Sequence, residues 1–227
     1  MARPDATRPA RVTAHAAPDR ELAIERYRHR ARGYDASARR TMRLRERTIA
    51  KLALRPGDSV LDVAAGTGLS FPAIERAIGE HGRIVAVELS PDMAALARER
   101  VAREGWRNVD VVVGAAEEIP LARIFDAILF NFTHDVLQSP RALDNVFASA
   151  KDGARVAIAG SKLYPRWLAP LNAFVRWNNA PYLTTFDGLD EPWRLVRRFV
   201  PALARESALW GAAYVGWGTY RPMSARA

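Results

Sequence analysis

The sequence contains no cysteine, which excludes both a disulfide framework and a thiolate metal site. It has no apolar run near the roughly 20 residues that cross a bilayer, and its first residues lack the apolar core of a secretory signal. We therefore expect a cytoplasmic protein without a metal site. Hydrophobic residues make up 49% of the 227 positions, which is typical of a chain that folds around its own core.

Acidic residues are scarce at the N-terminal end of the chain. Residues 1–57 hold 15 Arg and Lys against six Asp and Glu, whereas residues 58–227 hold 19 of each. The whole formal net charge of +9 therefore belongs to residues 1–57, the basic N-terminal arm. Such an arm could contact an anionic lipid surface or nucleic acid, or it could be a solvated Arg-rich surface without a partner.

Apolar runs and amphipathic segments alternate between residues 58 and 160. The runs predict strands at residues 60–63, 84–87, 109–113, 125–130 and 154–159, and two of the helices between them start with Ser-Pro, at 90–91 and 139–140. This alternation predicts a three-layer α/β sandwich with a mainly parallel sheet. Residues 1–18 have no periodic pattern and are predicted to form a disordered tail. Residues 19–57 are predicted to be helical, with Gly33 ending the first helix.

The stretch over residues 60–69, Val-Leu-Asp-Val-Ala-Ala-Gly-Thr-Gly-Leu, predicts a buried strand followed by a glycine turn and a helix. A dinucleotide site of this kind needs a third glycine, but Phe71 stands there and is too large for that approach. Asp62 before the turn suits a ligand with a positive centre better than a diphosphate. Glu88 ends the next apolar run, where a carboxylate can accept both hydroxyls of a ribose.

S-adenosylmethionine (SAM), which carries a sulfonium, an ammonium and a ribose, fits these requirements. The segment Asp-Val-Ala-Ala-Gly-Thr-Gly resembles the first motif of class I SAM-dependent methyltransferases, and residues 87–93, Val-Glu-Leu-Ser-Pro-Asp-Met, resemble the second. The resemblance implies a Rossmann-like α/β/α sandwich whose seven-stranded sheet ends in an antiparallel C-terminal edge hairpin. It implies a single domain over residues 19–227, with a basic helical cap (19–57), a SAM-binding core (58–160) and an acceptor-side insertion with the hairpin (161–227).

The same resemblance implies a set of cofactor-binding residues. Residues 114–120 resemble the family's Gly-Asp-Ala-Glu-x-Leu-Pro segment, but Ala115 replaces the Asp that receives the adenine amino group. That hydrogen bond is then absent, or Glu117 or the backbone supplies it. Asp62 could alternatively cap the turn, and Met93 could belong to the core. The implied residues are Asp62, Ala64, Gly66, Thr67, Gly68, Glu88, Leu89, Met93, Ala115, Ala116, Glu117, Asn131 and Phe132.

Two residues are candidates for catalysis. His134 follows the fourth strand, and of the four histidines it alone is near the predicted site, where it could act as a general base. Alternatively, it caps the next helix or binds Asp135. Tyr34 resembles a tyrosine that folds from the cap over SAM, where it could orient the carboxylate, line the acceptor pocket or anchor the cap. Beyond Gly160, we expect Trp167, Trp177 and Tyr182 to line a pocket and the other tryptophans to be core.

These residues predict methyl transfer from SAM to an O, N or C atom of a small hydrophobic or aromatic metabolite. The chain is similar in this to quinone-biosynthesis methyltransferases and to soluble bacterial phospholipid N-methyltransferases. The alternatives are N-methylation of a lipid headgroup at the inner, anionic face of a membrane, reached through the basic N-terminal arm, and a SAM-binding module without activity. A competing class is a nucleic-acid methyltransferase that uses the arm to contact phosphates. Nucleic acid is nevertheless not the expected partner, because residues 131–134 read Asn-Phe-Thr-His where base-amino methyltransferases present a Pro-Pro-Tyr type of segment. The sequence makes no prediction of oligomeric state.

Overall fold

The computed structural model describes residues 17–122 and 124–222, so residues 1–16 of the predicted tail lie outside the described residues. Within these ranges, seven strands form one sheet in the order β3-β2-β1-β4-β5-β7-β6. β1 to β5 run parallel, whereas β7 is antiparallel to both β5 and β6. The predicted fold class and its C-terminal hairpin are confirmed. The strands are β1 (Ser59–Val63), β2 (Arg83–Glu88), β3 (Val109–Val113), β4 (Phe125–Asn131), β5 (Ala150–Ser161), β6 (Ala204–Ala208) and β7 (Ala213–Thr219).

Helices cover both faces of the sheet. Ser90 and Ser139 accept hydrogen bonds from backbone N–H groups three residues on, which confirms both predicted Ser-Pro helix starts. The side chains of Phe71, Ile74 and Ile78 pack on one face, and those of Val146 and Phe147 pack on the other. The helices in the described ranges are α1 (Arg20–Arg28), α2 (Ala31–Ala38), α3 (Met42–Lys51), α4 (Phe71–Ile78), α5 (Pro91–Glu104), α6 (His134–Leu137), α7 (Pro140–Ala148) and α8 (Ala169–Asn179).

The prediction that Gly33 ends the first helix was wrong. α1 ends at Arg28, and Gly33 lies inside α2 together with Tyr34. A glycine inside a helix costs about 1 kcal/mol relative to alanine, and α2 offsets this cost by burying Ala31 and Ala38. Tyr34 therefore projects from a helix rather than from a loop.

The carboxyl ends of the parallel strands meet at one edge of the sheet. Strand order reverses between β1 and β4, which makes this the crevice where doubly wound folds bind ligands. The cap closes over the crevice through three hydrogen bonds to residues 182–184: Asp19 N–H to the Thr184 hydroxyl, the Arg26 guanidinium to the Leu183 carbonyl, and the Tyr27 hydroxyl to the Tyr182 carbonyl. Among the described residues, no helix is both long and apolar enough to cross a membrane.

Candidate active site

The turn after β1 is left-handed at three alternate positions. Ala64 has a φ of 53°, Gly66 of 63° and Gly68 of 75°. A Cβ atom at Gly68 would collide with the ring of Phe71, so the glycine accommodates Phe71 at the start of α4. Left-handed backbone costs a non-glycine residue such as Ala64 about 1 kcal/mol or more, and such strain concentrates at functional turns.

Glu88, the last residue of β2, holds this turn in place. Its buried carboxylate accepts the N–H groups of Gly66 and Ser90, each at 2.8 Å. It thereby ties the turn after β1 to the start of α5. Burial raises the pKa of Glu88 above its ordinary value, and the N–H donors act in the opposite direction.

The crevice concentrates buried polar atoms that have no hydrogen-bond partner among the described residues. Proteins pair the large majority of such atoms, so this cluster makes the crevice a candidate site for a polar ligand. Burial raises the pKa of the Asp62 carboxyl to about 7, despite the opposing charge of Arg45. The cluster comprises Arg45 Nε, Asp62 Oδ2, both amide atoms of Asn131, Thr133 Oγ1, His134 Nδ1 and Asp135 Oδ1.

Arg45 is a site residue that the sequence analysis missed. From α3 its buried guanidinium donates to the Tyr34 hydroxyl at 3.1 Å and to the Asn131 carbonyl at 3.4 Å. It also lies 4.7 Å from the centroid of the Phe132 ring. One signal could have found it: Arg45 occupies the apolar stripe of α3, between Met42 at i−3 and Ile49 at i+4.

Three tyrosines form the seam between the cap and the residues beyond β5. The ring of Tyr34 meets Tyr27 and Tyr182 edge to face, at centroid distances of 6.1 and 6.3 Å. The seam lies between two concave spaces. The inner pocket, about 100 Å³, lies against the carboxyl ends of β1 and β2. The outer cavity, about 440 Å³, lies between the cap and α8.

The structure brings most of the predicted site residues to these spaces. Ala64, Gly66, Glu88, Leu89 and Met93 line the inner pocket. Ala115, Ala116 and Glu117 line a side pocket that adjoins it and shares Ala64 and Leu89 with it. The inner pocket and the outer cavity share a wall of Tyr27, Tyr34, Phe132, His134, Tyr182 and Leu183.

Four predicted residues do not line these spaces. Asp62 and Asn131 are buried at the carboxyl ends of β1 and β4 and carry the unpartnered atoms described above. Gly68 packs on Phe71, and the Thr67 hydroxyl donates to the Asp35 carboxylate at 2.5 Å.

Glu117 lines the side pocket, but each of its carboxylate oxygens already has a partner. One accepts a hydrogen bond from Ser139 at 2.9 Å, and the other forms an ion pair with Arg20 at 3.3 Å.

His134 begins the short helix α6, and its ring has a defined tautomer. Nε2 lies 2.9 Å from the backbone carbonyl oxygen of Asp187. A carbonyl can only accept, so the neutral ring carries its proton on Nε2 and presents a lone pair on Nδ1. Burial lowers the pKa of His134 below its ordinary value. Asp135 accepts instead from the backbone and hydroxyl of Thr184, at 2.9 and 2.6 Å.

The expectation for the tryptophans beyond Gly160 was largely wrong. Trp167 and Trp177 are 78% and 73% exposed rather than lining a pocket, and Trp210, expected in the core, is 99% exposed. Tyr182 does line both spaces, and Trp193 is buried. α8 buries Val175 and leaves its aromatic side chains facing outward.

Residues 60–153 match the family described as "Methyltransferase domain". The Ubiquinone/menaquinone biosynthesis C-methyltransferase UbiE of Hydrogenovibrio crunogenus is 30% identical over 142 residues, which are 61% of this chain and 56% of that protein. An arsenite methyltransferase of Halobacterium salinarum is 28% identical over 109 residues, 47% of this chain and 28% of that protein. The chain thus spans about half the length of its UbiE relative.

Solved structures show the same fold. A SAM-dependent methyltransferase from Aquifex aeolicus superposes with a TM-score of 0.58 at 22% identity, covering 78% of this chain and 89% of that one. The [4+2]-cyclase SpnF superposes with a TM-score of 0.72 at 15% identity, covering 94% of this chain and 100% of that one. The match of residues 60–153 to the methyltransferase-domain family and the sheet order together support the class predicted from the motifs, a class I SAM-dependent methyltransferase with SAM as its cofactor.

Proposed function

We propose that this chain transfers a methyl group from SAM to a small hydrophobic or aromatic acceptor. The supporting observation is that Tyr34, Phe132, His134 and Tyr182 line both the inner pocket and the outer cavity, so that the two spaces are adjacent. Bound SAM supplies a methyl group activated by its sulfonium, and the chain's task is to hold acceptor and donor in line and exclude water. In this proposal residues 19–227 act as one domain, with residues 19–57 as the cap.

The unpartnered polar atoms of the crevice fit the amino-acid end of SAM. The Asp62 carboxylate is suited to accept from an ammonium, and the Asn131 amide can both donate and accept. The Arg45 guanidinium beside them is suited to a carboxylate. We assign the ribose to Glu88 and the adenine to the space beside Leu89, Ala115 and Ala116.

The charges of the outer cavity favour a neutral or anionic acceptor. Arg40 and Arg45 line it, and no Asp or Glu is found among the described residues of its wall. Phe174, Val175 and Tyr214 provide apolar surface. A phenol or enol matches this wall better than a protonated amine does, because no carboxylate is placed to stabilise the ammonium. This argues against the alternative of headgroup N-methylation.

Incubation with isotopically labelled SAM and a cell extract tests the proposed activity. We expect one or few small products to carry the labelled methyl group in the mass spectrum. A fold alone does not establish a reaction, as the similarity to a [4+2]-cyclase shows. A protein that binds SAM tightly and yields no labelled product with any extract fraction would contradict methyl transfer.

Binding of SAM should release protons through Asp62. With a pKa of about 7, Asp62 is half protonated at pH 7, and the ammonium of SAM requires its charged form. We expect release of about half a proton per SAM at pH 7, and an affinity that rises with pH from about 6 to 8. Titration calorimetry in two buffers of different ionisation enthalpy measures the release. Asp62→Asn should abolish it; equal heats in both buffers for the wild type would contradict the assignment.

We further propose that the basic N-terminal arm contacts anionic lipid. Exposed charges are screened within about 8 Å at physiological ionic strength, so binding to phosphatidylglycerol vesicles should weaken steeply with added salt. Removal of residues 1–18 should weaken it as well and leave SAM affinity unchanged. Equal binding to neutral and anionic vesicles would contradict the arm's role, and tight, salt-sensitive binding of RNA would favour the nucleic-acid class.

A further inference from the structure

The exposed large apolar side chains of the described residues are concentrated on two segments. Seven such side chains are more than about a third exposed, and six of them lie on α8 with its preceding turn or on the turn between β6 and β7. The seventh is Val113 on β3. We call the six side chains the Trp patch: Trp167, Leu171, Phe174, Trp177, Leu209 and Trp210.

The α8 part of the patch is a stripe on one helix face. Leu171, Phe174 and Trp177 recur at three-residue intervals, and Trp167 stands one turn before them. The rings of Phe174 and Trp177 lie 5.9 Å apart. α8 turns only Val175 into the protein, so this stripe contributes nothing to the core.

The second part of the patch is held in an unfavourable backbone conformation. Leu209 and Trp210 are both left-handed, with φ values of 46° and 57°. Neither residue is a glycine, and Trp210 is 99% exposed, so the strain is not offset by burial. Gly211, the next residue, lies against the ring of Tyr164. The backbone N–H and carbonyl of Tyr164 each form a hydrogen bond with the side-chain amide of Asn172 on α8. The two segments are thus neighbours.

Both segments border the mouth of the outer cavity. Phe174 and Leu209 line the cavity and belong to the patch. Two stretches beside the cavity are cationic: residues 161–186 contain one Lys and two Arg, residues 36–45 contain four Arg, and neither stretch contains Asp or Glu. On the β6–β7 hairpin, Glu206 is paired with Arg47. Exposed Trp, Phe and Leu beside Arg and Lys is the composition of helices that lie in the interface of anionic membranes.

We propose that the Trp patch docks onto the surface of an anionic lipid bilayer and so places the mouth of the outer cavity on the membrane. The occupant is a bilayer rather than a protein, because residues 161–186, which carry Trp167 and Trp177, contain Lys and Arg but no Asp or Glu. The proposal goes beyond the basic N-terminal arm, since the patch lies on α8 and the β6–β7 turn. It is also independent of methyl transfer, because docking requires neither SAM nor acceptor.

Flotation of the full-length protein with vesicles of phosphatidylglycerol and phosphatidylcholine tests the docking. We expect Trp177→Ala/Trp210→Ala to partition at least about tenfold more weakly than the wild type, and to lose the blue shift of tryptophan fluorescence that vesicles induce. Both side chains are exposed, so SAM affinity and thermal stability should stay unchanged. Val113→Ala, an exposed apolar control on β3, should bind vesicles like the wild type.

Added salt separates the contribution of the Trp patch to vesicle binding from that of the basic N-terminal arm. At high salt the arm is screened, so the vesicle binding that remains should be the part that the double variant lacks. Wild-type protein that ignores vesicles, or a double variant that binds them normally, would overturn the proposal. So would a wild-type dimer in analytical ultracentrifugation that the double variant converts to monomer without any change in vesicle binding, because the patch would then cover a second copy.

Discussion

Replacement of His134 by alanine is expected to lower turnover by roughly 10²–10⁴-fold, the usual contribution of a general base, with little change in SAM affinity. The Asp187 carbonyl holds the ring proton on Nε2, so Nδ1, buried and without a partner among the described residues, is the ring nitrogen whose lone pair is free to take a proton from a phenol or enol. The lowered pKa keeps the ring neutral through physiological pH. At saturating SAM, where the titration of Asp62 no longer limits binding, the wild-type rate should therefore fall only below about pH 6.5, the ordinary pKa of histidine.

His134→Gln distinguishes a role as general base from a structural role in holding the Asp187 carbonyl. A glutamine amide can still donate to the Asp187 carbonyl but cannot take up a proton. If His134 is the base, both variants should lose activity and the acid limb of the pH profile. His81, whose side chain is 89% exposed, offers a matched control, and His81→Ala should behave as the wild type. Recovery of full activity in His134→Gln would show that the side chain only supports residues 185–187.

Replacement of Glu88 by alanine is expected to weaken SAM binding by one to two orders of magnitude, about 1.5–3 kcal/mol for a charge-assisted pair. The structure gives a second reason for SAM binding to weaken in this variant, because Glu88 also accepts hydrogen bonds from the N–H groups of Gly66 and Ser90 and so holds the turn after β1. Loss of affinity alone would therefore not separate ribose binding from support of the turn. Titration calorimetry with S-adenosylhomocysteine and its 2′-deoxy analogue does so.

If Glu88 binds the ribose, the substitution should weaken binding of the complete ligand much more than that of the deoxy analogue. Equal losses for both ligands would mean that Glu88 acts through the turn alone. Glu80→Ala removes a carboxylate that is 88% exposed and serves as the control, which should leave both affinities unchanged. A folded Glu88→Ala protein with wild-type affinity for SAM would exclude Glu88 from the site.

The sequence by itself determined the features that depend on near neighbours in the chain. A buried strand is an apolar run, so β3 was predicted at its observed bounds and the ends of β1, β2 and β4 within one residue. The Ser-Pro helix starts and the left-handed glycines after β1 follow from local backbone chemistry. Glu88 could be placed at the crevice because the carboxyl ends of parallel strands share one edge.

Only the tertiary structure decided the contacts between residues far apart in the chain. Arg45 meets the Asn131 carbonyl across 86 positions, and the Asp187 carbonyl that sets the His134 tautomer lies 53 positions away. No local pattern encodes such pairs, because each depends on how the cap and the residues beyond β5 pack against the sheet. The exposed Trp177 of α8 and Trp167 in the turn before it show the same limit. Periodicity predicts that a helix has an apolar face, but only the packing of neighbouring elements decides whether that face is buried or exposed.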